Sequence, residues 1–190
     1  MLIRLLAPVA VAALCAASLF QIISPSQPRI IYNPSPSAPI GWYKLSQIQS
    51  PLQGDLVAAN VPIAAQNILL ERQYLPPNIP ILKTVWAVSG DEICHHSGQV
   101  LTGNKPALKV LSHDGFGREL PSLSGCYVIP EGQVFLVSTD VQSSFDSRYF
   151  GPVPVSNIIG RAKYLGRFEW GIERRRAGRG RSGFYFFQSA

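Results

Sequence analysis

Histidine, the usual partner of a catalytic serine, is scarce in this chain. The 190 residues include three histidines, His95, His96 and His113, and no two of them have the HxxxH spacing of a zinc site. His95 and His96 are adjacent, so on a strand their side chains would point to opposite faces. The sequence also lacks the GxSxG motif that marks the nucleophile of α/β-hydrolases. These absences argue against a metal site and against a Ser-His mechanism.

Helical periodicity is scarce as well. The apolar spacing of a helix occurs once, at residues 62–74, and Pro76 and Pro77 would end that helix. Glycine and proline number 16 each, and short apolar runs rich in β-branched residues lie between them. We therefore predict one mainly β domain with a single short helix. The predicted strands lie within residues 41–45, 54–59, 81–91, 132–138 and 158–165.

Only one apolar run is long, and it lies at the N-terminus. Residues 5–23 contain no charged side chain, and nineteen residues just suffice for a helix that crosses a bilayer. Arg4 before the run favours a translocated body, whereas small residues at 16–18 leave a cleaved signal peptide as the alternative. We assign residues 1–24 to an anchor or signal segment and residues 25–166 to the domain.

The formal charge of +6 is concentrated at the C-terminus. From Arg167 onward there are six arginines and two glutamates, a net charge of +4, so the preceding residues carry +2. Residues 167–190 are also rich in glycine and cannot bury a core, so we predict a disordered, solvated tail. Contact of this tail with nucleic acid or anionic lipid is the alternative, although no specific nucleic acid is expected.

Cysteine occurs three times, and Cys15 lies in the apolar N-terminal run. Cys94 and Cys126 are therefore the two cysteines of the body. A translocated body would lie in an oxidising compartment, where a disulfide is the simplest use of two cysteines. We predict a Cys94–Cys126 disulfide.

Two serines lie in a proline-rich segment, residues 33–43. Its three prolines fix φ and keep the residues before them out of a helix, so Ser35 and Ser37 are held on a stiff segment near the membrane. If the segment is strand-like, residues two apart point the same way and both hydroxyls can face one carbonyl group. A plain linker between anchor and domain is the alternative.

A base for such a serine can be a neutral lysine. Of five lysines, only Lys83 lies within an apolar, β-branched run, where desolvation would lower its pKa. A place on the solvent face of its strand is the alternative for Lys83. Lys44 is the second candidate, because it is close in sequence to Ser37, but its strand is expected to be half exposed.

A polar cluster, Ser-Phe-Asp-Ser-Arg at residues 144–148, lies between a predicted strand and a Gly-Pro turn. Four hydrogen-bonding side chains in five positions are typical of an internal polar network. A surface turn is the alternative.

The order of these motifs resembles the type I signal peptidase superfamily, from residue 33 to about residue 165. Four motifs occur in sequence: Ser-x-Ser-x-Pro at 35–39, Leu-Lys-x-Val-x-Ala-x-x-Gly-Asp at 82–91, Ser-x-Asp-Ser-Arg-Tyr-x-Gly-x-Val at 144–153, and Ile-x-Gly-x-Ala at 158–162. Within the superfamily the sequence is most similar to the TraF branch of conjugative-transfer peptidases. The details are Asn-x-x-x-Ser-x-Pro-x-Gly-x-Tyr at 33–43, Cys94 soon after Gly90-Asp91, and Gly-Arg-x-Leu-Pro at 117–121.

The resemblance implies a signal-peptidase-type β-barrel or sheet domain and a serine endopeptidase that needs no cofactor. Ser37 matches the nucleophile of the family and Lys83 the general base. Ser35 matches a hydroxyl that forms the oxyanion hole together with the backbone N–H of Ser37. Asp146 matches a carboxylate that is important in the TraF branch. The supporting residues implied are Ser144, which helps to orient the lysine, and Arg148, which partners the carboxylate.

The resemblance also implies a role and a place. We expect a membrane-anchored enzyme of a bacterial conjugation system, with its domain on the periplasmic side of the cytoplasmic membrane. Its partners would be a translocated precursor, pilin-like and cut after small residues, and other components of the conjugation system. A general signal peptidase for secreted proteins is one alternative. A non-catalytic pilus-assembly factor is another, against which the intact set of Ser37, Lys83 and Asp146 argues.

Overall fold

The structure is a computed structural model that describes residues 29–76 and 79–167. The predicted anchor at residues 1–24 lies outside the described residues, as does the predicted tail beyond Arg167. Among the residues described, no helix is both long enough and apolar enough to cross a bilayer.

The described residues form eleven strands and two α-helices. The strands are β1 (Ile30–Asn33), β2 (Gly41–Ser46), β3 (Leu56–Ala59), β4 (Ile81–Val88), β5 (Glu92–His96), β6 (Gln99–Leu101), β7 (Leu108–Lys109), β8 (Gly125–Val128), β9 (Gln133–Val137), β10 (Val153–Pro154) and β11 (Ile158–Gly166). The helices are α1 (Ile63–Glu71) and α2 (Ser147–Phe150), and a 3-10 turn spans Val155–Asn157. The mainly β class predicted from the sequence is therefore correct.

Seven strands form one antiparallel sheet in the order β1-β2-β11-β3-β4-β9-β10. Strand β4 lies inside this sheet, and six of its eight residues are buried. Its apolar, β-branched sequence suits a strand that is covered on both faces. The remaining strands form a smaller sheet in the order β7-β6-β5-β8.

The two faces of β4 belong to different hydrophobic clusters. Leu82 packs in a cluster with Tyr43, whereas Ile81 and Val85 pack in a larger cluster on the other side. Because side chains alternate along a strand, Lys83 projects on the face of Ile81 and Val85. The fold therefore directs an amine toward the larger of these two apolar clusters.

Two features of the segments that contain the predicted serines and the polar cluster differ from the sequence prediction. The proline-rich segment with Ser35 and Ser37 was predicted to be stiff, with a plain linker between anchor and domain as the alternative, but β1 pairs with β2 from Ile30↔Lys44 to Asn33↔Gly41, so this segment connects the two strands of a hairpin. Helix α2 is the second difference, since one helix was predicted. It has only four residues, too few to give helical periodicity, and it begins because the Asp146 side chain accepts a hydrogen bond from the N–H of Arg148.

The smaller sheet contains the predicted disulfide. Strands β5 and β8 pair so that Cys94 lies directly opposite Cys126, and their sulfur atoms are bonded. The two cysteines are 32 residues apart in the chain. The bond therefore closes a long loop across two neighbouring strands.

Replacing both Cys94 and Cys126 by alanine should lower the free energy of unfolding by about 3 to 4 kcal/mol, because the unfolded chain gains the entropy of the opened loop. Urea unfolding of the full chain in detergent would measure this loss. The control is Cys15→Ala, which should leave the value unchanged. A double variant as stable as the control would contradict the prediction.

Candidate active site

The connection between β1 and β2, residues 34–40, brings the two predicted serines together. The hydroxyl oxygens of Ser35 and Ser37 are 3.1 Å apart, and the N–H of Ser37 donates to Ser35 Oγ at 3.3 Å. Both serines are half-buried, so solvent and ligands can reach them. The segment is a turn and not the strand-like run considered above. The hydroxyls therefore converge because the loop folds back on itself.

Lys83 lies on β4 and is buried, with 3% of its surface exposed. The solvent-face alternative is therefore wrong, whereas the second candidate, Lys44, is exposed. Burial lowers the pKa of Lys83 to about 8, and the positive charge of Arg148 acts in the same direction, while the carboxylate of Asp146 opposes both. A larger fraction of this amine is neutral at pH 7 than of an ordinary lysine.

Asp146 and Arg148 form a buried ion pair at the start of α2. Two parallel hydrogen bonds join them, from Nε to Oδ1 and from Nη2 to Oδ2, each 2.8 Å long. Both residues are almost completely buried, so the surface-turn alternative for residues 144–148 is wrong. The guanidinium also donates to backbone carbonyl groups, those of Lys109, Val141, Gln142 and Ser144.

Ser138, just after β9, links the ion pair to the serine loop, and the sequence analysis missed it. Its N–H donates to Asp146 Oδ2 at 3.0 Å and its Oγ donates to the carbonyl oxygen of Ser37 at 2.7 Å. Thr84 of β4 pairs with Val137, so continuing this register by one residue places Ser138 beside Lys83. Side chains in such positions have Cβ atoms about 5 Å apart. The sequence offered only a serine at the end of an apolar strand.

The remaining predicted residue, Ser144, is buried close to this network. Its Oγ has no hydrogen-bond partner within the described part of the chain. Among the same residues, Ser37 Oγ accepts a hydrogen bond from Ser35 Oγ, and no hydrogen bond joins it to Lys83. The structure thus connects Ser35, Ser37 and, through Ser138, the Asp146 carboxylate by hydrogen bonds, and it relates Lys83 to Asp146 and Arg148 through charge.

Comparison with known proteins places the chain in a family. The sequence model described as signal peptidase, peptidase S26, matches residues 2–166. The chain belongs to the signal peptidase S26 family. All the candidate site residues of this S26 protein lie within the matched region.

Its curated relatives indicate the branch. The conjugal transfer protein TraF of Agrobacterium fabrum is 33% identical over 149 residues, which cover 72% of this chain and 82% of that protein. The protein of the same name from Agrobacterium tumefaciens is 36% identical over 146 residues, which cover 69% of this chain and 78% of that protein. This S26 protein therefore belongs to the TraF branch.

Similarity also extends to other members of the family. Signal peptidase I V of Bacillus subtilis is 32% identical over 95 residues, which cover 45% of this chain and 56% of that protein. A solved signal peptidase I from Enterococcus faecalis has a TM-score of 0.35 and 19% identity, covering 60% of this chain and 98% of that one. Membership of the S26 family rests on the sequence matches and not on this structural similarity. That membership supports a peptidase activity for this chain.

Burial of Lys83 has a consequence for stability. Its pKa of about 8 in the folded protein lies below the ordinary value of 10.5, so between these values the unfolded chain binds more protons. The free energy of unfolding should therefore rise as the pH increases from about 8 to 10.5. Below pH 8 the lysine is charged in both states, so the full cost of burying its charge lowers the free energy of unfolding.

Lys83→Met should remove this penalty and raise the free energy of unfolding at pH 7 by about 1 to 3 kcal/mol. The gain should shrink as the pH rises from 8 toward 10.5. Urea unfolding of the full chain in detergent at pH 7 and pH 10 would measure it. The exposed Lys44→Met is the matched control and should give no such pH-dependent gain. An equal effect of Lys83→Met at both pH values would rule out this explanation.

Proposed function

We propose that this chain is a membrane-anchored serine endopeptidase with a Ser37/Lys83 dyad that processes a translocated precursor during conjugation. The observation that carries the proposal is the buried lysine with a pKa of about 8 beside the Asp146–Arg148 pair. A serine is a weak nucleophile until a base removes its proton, and a desolvated lysine is neutral often enough to do so. Membership of S26 supports the same assignment.

In the proposed reaction, Ser37 Oγ attacks the scissile carbonyl carbon while its proton passes to the neutral Nζ of Lys83. The resulting lysine ammonium then gives a proton to the leaving amine as the acyl-enzyme forms. Water attacks the acyl-enzyme next, with Lys83 again accepting the proton and Ser37 receiving it back. The steps consume one water molecule and restore both residues.

The oxyanion formed in each attack needs hydrogen-bond donors. The Ser37 N–H and the Ser35 hydroxyl are suitable donors, as the resemblance implies. In the structure the Ser37 N–H donates to Ser35 Oγ, and Ser35 Oγ donates to Ser37 Oγ. Productive binding would therefore replace these internal bonds with bonds to the substrate oxygen.

Asp146 and Ser144 would act on the lysine. The carboxylate of Asp146 raises the Lys83 pKa against the effect of burial, which keeps the amine basic enough to take a proton. Ser144 Oγ is buried and has no hydrogen-bond partner among the described residues, so its hydroxyl is available to orient the lysine amine, as the resemblance implies. Arg148 holds the carboxylate in place through its two parallel hydrogen bonds.

The conjugation role is supported by the relatives. Two Agrobacterium proteins that match most of this chain are named conjugal transfer proteins, and an Escherichia coli relative that is 38% identical over 82 residues is named a plasmid transfer protein. We propose a pilin-like precursor cut after small residues, at the periplasmic side of the cytoplasmic membrane, with residues 1–24 as anchor. Removal of signal peptides from secreted proteins is the second candidate, which the match to signal peptidase I V favours.

The test uses purified full-length protein in detergent, a candidate pilin precursor and a secreted precursor with its signal peptide, with products identified by mass spectrometry. Ser37→Ala and Lys83→Ala should each abolish cleavage, and the double variant should be no worse, because the two residues act as a unit. In the wild type kcat/KM should rise with pH through about 8, since the neutral lysine is the active form.

Lys44→Ala is the matched control and should keep wild-type activity. Cleavage of the pilin precursor alone would support the conjugation role, and efficient cleavage of the secreted precursor would favour the second candidate. An active Lys83→Ala variant, or a flat pH profile, would contradict the proposed dyad.

A further inference from the structure

Asn33, the last residue of β1, has a side chain that fills the interior of the serine loop. It is buried, with 7% of its surface exposed. Its Nδ2 lies 2.8 Å from the carbonyl oxygen of Ser35, 3.0 Å from that of Ala38 and 3.3 Å from that of Pro39. Its Oδ1 accepts a hydrogen bond from the N–H of Ser35 at 3.1 Å. One carboxamide thus contacts the loop on both sides of Ser37.

The loop needs such a partner because it can make few hydrogen bonds of its own. Three of the seven residues at 34–40 are prolines, which have no N–H to donate. Within the described chain, no backbone-to-backbone hydrogen bond joins two residues of this loop. A carboxamide supplies both donors and an acceptor, which is the combination that inward-facing carbonyl groups and one N–H require.

Two side chains outside the loop, neither of them Asn33, also donate hydrogen bonds to its carbonyl groups. Ser138 Oγ donates to the Ser37 carbonyl oxygen, and the buried Tyr43 hydroxyl donates to the Pro39 carbonyl oxygen at 2.6 Å. Loss of the Asn33 carboxamide should therefore loosen residues 35–38 without opening the hairpin. The conformation inside the loop is the property that depends on Asn33.

We propose that Asn33 is a positioning residue that sets the loop conformation in which the Ser35 and Ser37 hydroxyls converge. The proposal rests on the function proposed above, in which Ser37 attacks and Ser35 donates to the oxyanion. Asn33 touches neither hydroxyl and acts through the backbone of Ser35 and Ala38. Its effect should fall on the chemical step, because a displacement of about 1 Å in reacting groups can cost about 100-fold in rate.

Asn33→Asp is the sharpest variant, because it keeps the shape and one acceptor but places a carboxylate oxygen against carbonyl oxygens. In the full-length protein in detergent, kcat for precursor cleavage should fall about 10- to 100-fold with KM nearly unchanged. Modification of Ser37 by a serine-reactive covalent inhibitor should slow by a similar factor. The matched control is Asn157→Asp, since Asn157 Nδ2 donates to a backbone carbonyl group, that of Asn60, away from the site.

A second variant and a second measurement separate this proposal from the proposed function. Asn33→Ala removes all the side-chain bonds, so the amides of Ser35 and Ser37 should exchange hydrogen faster than in the wild type. Exchange in β3 and β4 should stay near wild-type values, because the loss is confined to the loop. This measurement requires no catalytic activity.

The outcomes are distinct. Reduced kcat in Asn33→Asp together with faster exchange confined to the loop of Asn33→Ala would support the proposal. Wild-type kcat in Asn33→Asp, unchanged exchange in the loop, or faster exchange throughout the domain would overturn the positioning role. A wild-type protein that neither cleaves precursor nor reacts with the inhibitor would refute the proposed function, while the exchange data would still decide whether Asn33 sets the loop.

Discussion

The buried ion pair between Asp146 and Arg148 is the interaction on which the geometry of the candidate site depends. Burying two charges is costly unless every polar atom finds a partner, and removal of one partner typically costs about 3 to 5 kcal/mol. Here the guanidinium bonds to the carboxylate and to backbone carbonyl groups, while the carboxylate also accepts the N–H of Ser138. Because Ser138 Oγ binds the Ser37 carbonyl, the pair also determines where the serine loop rests.

The same pair sets the electrostatics of Lys83. Burial lowers the pKa of the lysine, and the adjacent carboxylate and guanidinium act on it in opposite directions. A lysine buried alone would be a weaker base, and an exposed lysine would be charged at neutral pH. The Asp146–Arg148 pair therefore acts on both parts of the proposed dyad. It is connected to the Ser37 carbonyl group by hydrogen bonds through Ser138, and its charges shift the pKa of Lys83.

The sequence predicted those features of the site that depend on neighbouring residues in the chain. The burial of Lys83 was predicted from its β-branched neighbours, with the solvent face as the alternative. The polar network was predicted from the density of hydrogen-bonding groups around Asp146, with a surface turn as the alternative. The role of Ser138 could not be predicted, because its partner Ser37 lies 101 positions away and only the sheet register brings them together. The short strands of the smaller sheet were missed because glycine-rich turns interrupt their pattern, although the predicted Cys94–Cys126 disulfide joins two neighbouring strands of that sheet, β5 and β8.

The central claim is that burial beside a fixed carboxylate makes Lys83 a base near neutral pH. The most direct test follows the Lys83 side chain by NMR in full-length protein carrying 13C-labelled lysine, with Lys83→Met used to assign the signal. The wild-type lysine should titrate near pH 8, and Asp146→Asn should lower this pKa by removing the charge that opposes burial. A wild-type pKa near 10.5, or a higher pKa in the Asp146→Asn variant, would contradict the account.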